Sequence, residues 1–397
     1  METNKKIDII VSSLISLASF CFIIVLCVII NITTSGSDFF SPIYRFDSYY
    51  YNYIVLYGYN CSGIYWSYNP TVFGMYNGMS VWPFFPLLPL CVKILNILTF
   101  NRVSIILLAL IFSSVCMGVM FYFIIQFFRL KKVSINYFIL SVLFIFNTFY
   151  IFYFNFYTEA LFMMLVSIFL VLSEKKYYFA SGFVLALISA TRVTGIIFVF
   201  YLFYKIYLEI EVDSKMNIFF KKILKIIKSP YYFSSISISL LGLAFFIIYL
   251  SKCWDLSPLA FIDAQLGWGK ENKFFVIHII NGFKNLSHFS SSIFTILSIV
   301  FCLYLIMKEK KYFVPILMLL YIIFISTSSI ASVDRYIWGV LLLSIELYTI
   351  LMRRYDTKNA GNYNFFVVLP IYLVVVIILT TTLIVTISFC FGINFVY

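Results

Sequence analysis

VSIILLALIFSSVCMGVMFYFIIQFFRLKK, residues 103–132, is an uninterrupted uncharged run closed by Arg129-Leu130-Lys131-Lys132. About 20 apolar residues suffice for a helix to cross a bilayer core, and a basic cluster just past such a run marks the cytoplasmic side. The pattern recurs along the chain. Residues 7–32 follow Lys5 and Lys6, and further candidate spans lie at 134–154, 157–173, 230–250, 290–307, 313–331, 335–352 and 364–391. The basic marks between them are Glu174-Lys175-Lys176, six Lys between 205 and 228, Lys308-Glu309-Lys310-Lys311 and Arg353-Arg354.

Composition agrees. Of the 397 residues, 63% are hydrophobic and only 11% charged, and the mean hydropathy is +1.02. A soluble domain carries roughly 25% charge and cannot hide this much apolar surface. The net charge of +12 belongs to the cytoplasmic marks rather than to a nucleic-acid-binding domain, so no nucleic acid is expected as a partner. The eight Cys form no CxxC pair and only His278 and His288 are present, which argues against a His/Cys metal site. Cys61 and Cys253 fall in polar stretches on one side of the membrane, where a disulfide between them is conceivable. The first run is too long for a secretory h-region and reads as a retained signal anchor.

Two cytoplasmic marks must be joined by an even number of crossings. The Pro-interrupted segment 83–98 should therefore not span, and 177–207 should cross twice, as two short helices broken near Thr191-Arg192-Val193-Thr194-Gly195. A helix broken at membrane depth is tolerated only against protein or a cavity. The expectation is an all-α polytopic bundle of about eleven transmembrane helices, with the N-terminus inside. Two larger outer loops, 33–102 and 251–289, would contain short helices, the whole forming a single membrane domain over residues 1–397. No internal repeat suggests a two-halved transporter.

Chemistry is to be sought among the outer cations and the outer acids Asp38, Asp47, Glu159, Asp255, Asp263, Glu271 and Asp334. Tyr44-Arg45-Phe46-Asp47-Ser48 opens the first outer loop; its carboxylate can accept a proton from a hydroxyl as a general base, or the motif can be interfacial anchoring. Glu159 in Asn155-Phe156-Tyr157-Thr158-Glu159 either compensates a helix N-terminus or contributes to a site. Arg192 and, in Asp334-Arg335-Tyr336, Arg335 either snorkel or supply guanidinium groups suited to a lipid phosphate. Trp254 and Trp268, in the second outer loop, offer flat faces for a sugar ring.

In this order the blocks resemble the PIG-V-like mannosyltransferases: Phe46-Asp47, the segment Phe84 to Leu90, Tyr157 to Phe162, Thr191 to Gly195, Pro258 to Gly269, and Arg335-Tyr336. The resemblance covers roughly residues 45–336 and implies a GT-C-class membrane glycosyltransferase. It implies a hexose, mannose by family, moved with inversion from a polyprenyl-phosphate-linked donor to a glycan or glycolipid acceptor on the outer face. Asp47 would be the catalytic base, while Arg45, Glu159, Arg192, Arg335, Tyr336 and Trp268 would bind substrates. A lipid-phosphate leaving group needs no second acid, and no DxD motif is present, so neither metal nor cofactor is expected. A lipid-linked oligosaccharide flippase or an O-antigen-type polymerase is the alternative. The short cytoplasmic loops favour a bacterial plasma membrane, whereas Asn31-Ile32-Thr33, Asn60-Cys61-Ser62 and Asn285-Leu286-Ser287 match the N-glycosylation pattern and keep the endoplasmic reticulum open.

Overall fold

The computed structural model describes residues 2–34, 39–59, 80–212, 218–254, 257–265, 270, 272–359 and 365–391. Among them there are helices and no strands. The first half contains α1 (Glu2–Thr34), α2 (Asp47–Tyr57), α3 (Leu87–Leu98), α4 (Ile105–Leu130), α5 (Tyr137–Phe144), α6 (Tyr150–Tyr153), α7 (Glu159–Glu174) and α8 (Tyr178–Thr191). A 3₁₀ turn, Val193–Ile197, leads to α9 (Phe198–Glu209), α10 (Ile218–Lys228), α11 (Pro230–Ser239), α12 (Leu241–Trp254), α13 (Ala260–Asp263) and α14 (Phe275–Phe283). The chain finishes with α15 (Leu286–Met307), α16 (Phe313–Ser326), α17 (Val333–Gly339), α18 (Leu342–Asn359) and α19 (Phe365–Cys390).

Among the described residues three helices are long and apolar enough to cross a membrane: Asn4–Thr33, Ile105–Leu130 and His288–Met307. Two bent pairs raise the number to five if each is one span: α11 with α12, bent by 45°, and α17 with α18, bent by 62°. The protein is therefore a helical membrane protein. The stretches 33–102 and 251–289, the two expected outer loops, contain short helices, α2 and α3 in the first and α13 and α14 in the second. At twelve residues, α3 is ~18 Å long, well short of the bilayer core.

The bundle centres on α7, which packs between α4 and α8, while α1 lies along α4. These approaches are close because small residues sit at the crossings. A side chain at Gly118 would meet Ser16 of α1; one at Gly182 would meet the Ser235 carbonyl of α11, and one at Gly242 the Ala186 carbonyl of α8. The stretch 177–207 folds back as a hairpin. Lys176 pairs with Glu209 at 2.7 Å, and the Tyr178 hydroxyl reaches Glu209, so the start of α8 lies beside the end of α9 with Arg192 at the far tip.

The expected span 134–154 is also interrupted, and that expectation is corrected. Residues 134–154 are not one helix but α5 and α6 separated by a turn. The break is stabilised by Asn147, whose amide donates to the Leu143 carbonyl (3.0 Å) and whose Oδ1 accepts from Phe149 N (3.0 Å) and the Tyr153 hydroxyl (2.9 Å). An asparagine that offers the backbone such alternative partners interrupts a helix.

One charge inside the first run was passed over by the hydropathy pattern. Asp8, fully buried on α1, is bonded by Arg129 (2.7 Å), Tyr137 (2.8 Å) and Gln126 (3.0 Å). It ties α1 to the basic end of α4, because a buried carboxylate is tolerated only when paired.

Candidate active site

Asp47 is the first residue of α2, where the helix N-terminus favours a negative charge. The residue before it, Phe46, has φ 52° and ψ −116°. That region is costly for a bulky L-residue and is retained only where surrounding structure enforces it. The helix that carries Arg335 also starts from a positive φ, 62° at Ser332. Strained backbone thus precedes both helices that meet here.

The turn 154–158 is pinned by Asn155. Its Oδ1 accepts from Ser48 Oγ of α2 (3.1 Å) and from Phe156 N (2.7 Å), and its carbonyl accepts from Ser113 Oγ of α4 (3.1 Å). This places Glu159, the first residue of α7, directly behind α2. Glu159 is wholly buried. Its Oε1 lies 2.9 Å from Arg192 Nη2 and 3.0 Å from Arg335 Nε. Arg335 in turn reaches Asp47, with Nη2 3.4 Å from Oδ2. The order is therefore Asp47, Arg335, Glu159, Arg192, a chain of alternating charges drawn from four separate parts of the sequence. Aromatic faces complete it. The Arg335 guanidinium lies 4.6 Å from the Phe152 ring centre and 5.2 Å from that of Tyr157, and Arg192 lies 4.4 Å from that of Tyr336. Such stacking suits guanidinium groups and holds them flat.

In front of this chain is a cavity of about 410 Å³. Asp47, Arg192 and Lys270 supply its charged wall; Tyr51, Thr191, Thr194, Gln265, Asn272 and Tyr336 supply polar groups, and Phe84, Phe85 and Phe261 supply flat apolar ones. Two cations and one carboxylate thus face the space, among hydroxyls, amides and rings of the kind that bind a sugar phosphate. Burial pushes the Asp47 carboxyl above the usual carboxylate range, against the opposing pull of Arg335, Arg192 and Lys270 and with a smaller push from Glu159. A carboxylate of raised basicity beside a polar cavity is suited to accept a proton.

The fold brings Asp47, Glu159, Arg192, Arg335 and Tyr336 into one cluster. Their positions differ in depth. Arg335, 7% exposed, stands behind Asp47 and is not part of the cavity wall, and Glu159 serves the two guanidiniums rather than facing the space. Arg45 is turned elsewhere: Nη2 donates to the Cys390 carbonyl at the end of α19 (2.8 Å) and Nε to the Pro42 carbonyl (3.3 Å). It closes a helix C-terminus rather than orienting Asp47. Trp268, Asp38, Asp255 and Glu271 lie outside the described residues, as do Cys61 and the Cys253 side chain.

Tyr51 and Lys270 also line the cavity, although neither is among the site residues expected from the sequence. Lys270 was visible as an outer-loop cation immediately after the Trp-Gly stretch, and Tyr51 lies one helical turn beyond Asp47 on α2, the spacing that places two side chains on one face. Comparison of the chain with protein-family models, with curated proteins and with solved structures finds no match.

Proposed function

We propose that the protein is an inverting glycosyltransferase of GT-C type, with about eleven membrane crossings. It would transfer a hexose from a polyprenyl-phosphate-linked donor to a glycan or glycolipid acceptor on the outer face of a membrane, the bacterial plasma membrane by the shortness of its cytoplasmic loops. The resemblance of its ordered motifs to the PIG-V-like mannosyltransferases makes mannose the first sugar to test. The observation that carries the reading is the single cavity in which Asp47 faces Arg192 and Lys270.

In this scheme the acceptor hydroxyl gives its proton to Asp47 as its oxygen attacks the anomeric carbon from the face opposite the phosphate. The bond between the anomeric carbon and the phosphate oxygen breaks, and its electron pair leaves with the lipid phosphate. The leaving group gains one negative charge as it departs, and Arg192 and Lys270 are placed to stabilise that charge. Glu159 and Arg335 are positioning residues: the first holds Arg192, and the second holds Asp47. An apolar groove of about 550 Å³, lined by Pro86, Leu87, Leu90, Phe183, Leu241 and Phe245, begins at the same segment as the cavity wall and suits isoprenoid units.

Mass spectrometry of lipid-linked sugars and glycans from cells with and without the gene tests the reading. Loss of one hexose from an otherwise unchanged glycan, restored by the wild-type gene and not by Asp47→Asn, is expected. Accumulation of a complete, unaltered lipid-linked oligosaccharide instead would assign the protein to flipping or polymerisation.

A further inference from the structure

Glu159 and Glu174 are the first and last residues of α7, so the groups around them lie at opposite ends of the bundle, ~22 Å apart along the helix. The Glu174 end has a second polar cavity, also of about 410 Å³, lined by Lys131, Lys205 and Lys311 together with Glu174, Glu346, Tyr201 and Tyr204. Lys131 and Lys205 converge on the same carboxylate, at 2.7 and 2.9 Å from Glu174, and Lys311 pairs with Glu346. Three cations share two carboxylates, which leaves one positive charge in excess. That matches the single negative charge of a phosphodiester.

The cavity adjoins an apolar groove. Tyr204 and Phe313, stacked at 3.6 Å, line both the cavity and this groove, which has a volume of about 680 Å³ and lies between α9 and α16. The groove continues along Ile197, Ile316, Leu320 and Tyr321 to Thr194 and Phe324, which belong to the wall of the Asp47 cavity as well. Its outer lip is apolar and open: Ile316 is 47% exposed and Leu320 59%. A lysine pocket at one end of a greasy trough has the chemistry of a lipid site rather than of a site for a small soluble anion.

We propose that this pocket and groove bind one anionic phospholipid. Its phosphodiester lies among Lys131, Lys205 and Lys311, and an acyl chain runs between α9 and α16 toward the Asp47 cavity. The headgroup pocket lies at the opposite end of α7 from the transfer chemistry, and the proposal does not depend on that chemistry.

The test uses the purified full-length protein, offered phosphatidylglycerol and phosphatidylcholine together in detergent, with retained lipid counted by native mass spectrometry. Wild type is expected to retain phosphatidylglycerol in preference, with inorganic phosphate unable to displace it. Lys205→Gln with Lys311→Gln should weaken that retention by about tenfold or more, the scale of two lysines at an anionic headgroup. Leu320→Trp fills the trough from its exposed lip without touching the lysines, and should also reduce retention; it decides the matter if the lysine variant does not fold. Equal retention of the two lipids by wild type would overturn the proposal. So would displacement by inorganic phosphate, which would mark a soluble-anion site, or unchanged retention in Leu320→Trp.

Discussion

Arg335 Nη2 stands 3.4 Å from Asp47 Oδ2, joining residues 288 positions apart in the sequence, and the same guanidinium rests 3.0 Å from the buried Glu159. Asp47 is thus held from behind while its other side meets the cavity. If it is the base, Asp47→Asn keeps the shape and the polar contacts but removes the proton acceptor. Transfer is expected to fall by about 10²-fold or more, while donor binding, followed by retention of a labelled polyprenyl-phosphate sugar, stays near wild type. Near-normal turnover would remove Asp47 from the role.

The raised basicity of Asp47 gives the pH dependence a sign. A general base works in its ionised form, so the rate should fall as pH drops through its pKa, with a midpoint above the ordinary value of about 3.9. Lys270 favours the ionised form. Lys270→Gln removes that pull, so the acid limb should move to still higher pH, whereas Lys270→Arg should leave it in place. The same Lys270→Gln variant should raise KM for the donor, because a cation facing the phosphate is gone. A limb that moves downward on loss of Lys270 would contradict the assignment.

How much of this was legible in one dimension depended on whether a residue betrays itself by contrast. Arg192 stands out because it interrupts an apolar run, and parity of the basic marks made 177–207 a hairpin with Arg192 at its tip, as observed. Asp47 and Arg335 stand out as charges at or beyond the ends of the apolar runs. Depth was not legible. Nothing local distinguishes Glu159, which is completely buried and grips two guanidiniums, from a carboxylate at an exposed helix N-terminus. Arg45, two residues from Asp47, is expected from the motif order to bind substrate, but the far end of the chain brings the Cys390 carbonyl beside it. Asn147 broke an expected span by a network of three hydrogen bonds that hydropathy does not register.

Glu159 is expected to matter for folding before it matters for rate. Glu159→Gln leaves Arg192 and Arg335 as buried cations facing each other without their shared carboxylate. Breaking a buried pair in this way costs about 3–5 kcal/mol. A clear fall in thermal unfolding temperature in detergent should accompany loss of transfer. Glu159→Asp, which restores the charge one methylene short, should recover part of the stability. A Glu159→Gln protein as stable as wild type would mean that the two guanidiniums do not need it.

The scheme requires no metal: a lipid phosphate leaves with its own charge stabilised by Arg192 and Lys270, and Asp47 takes the proton. Transfer should therefore persist in excess EDTA. Complete loss, restored by added Mn²⁺, would replace the two cations by a metal in the account of the leaving group.

The position of Arg192 depends on a close approach that can be tested away from the cavity. Gly242 of α12 lies against α8 one turn and more before Arg192, so near that any Cβ would run into the Ala186 carbonyl and the Ser189 hydroxyl. The obstacle is helix backbone, which cannot swing aside as a side-chain tip does, so α8 and α12 must separate. Gly242→Ala should destabilise by about 1–3 kcal/mol, the scale of overpacking, and the displacement should carry Arg192 away from Glu159 and the cavity. The expected signature is a lowered unfolding temperature together with a raised KM for the donor. Gly339→Ala provides the control, since nothing lies within 4 Å of the site its Cβ would take; it should change neither quantity. A Gly242→Ala variant indistinguishable from Gly339→Ala would show that the α8–α12 contact does not set the position of Arg192.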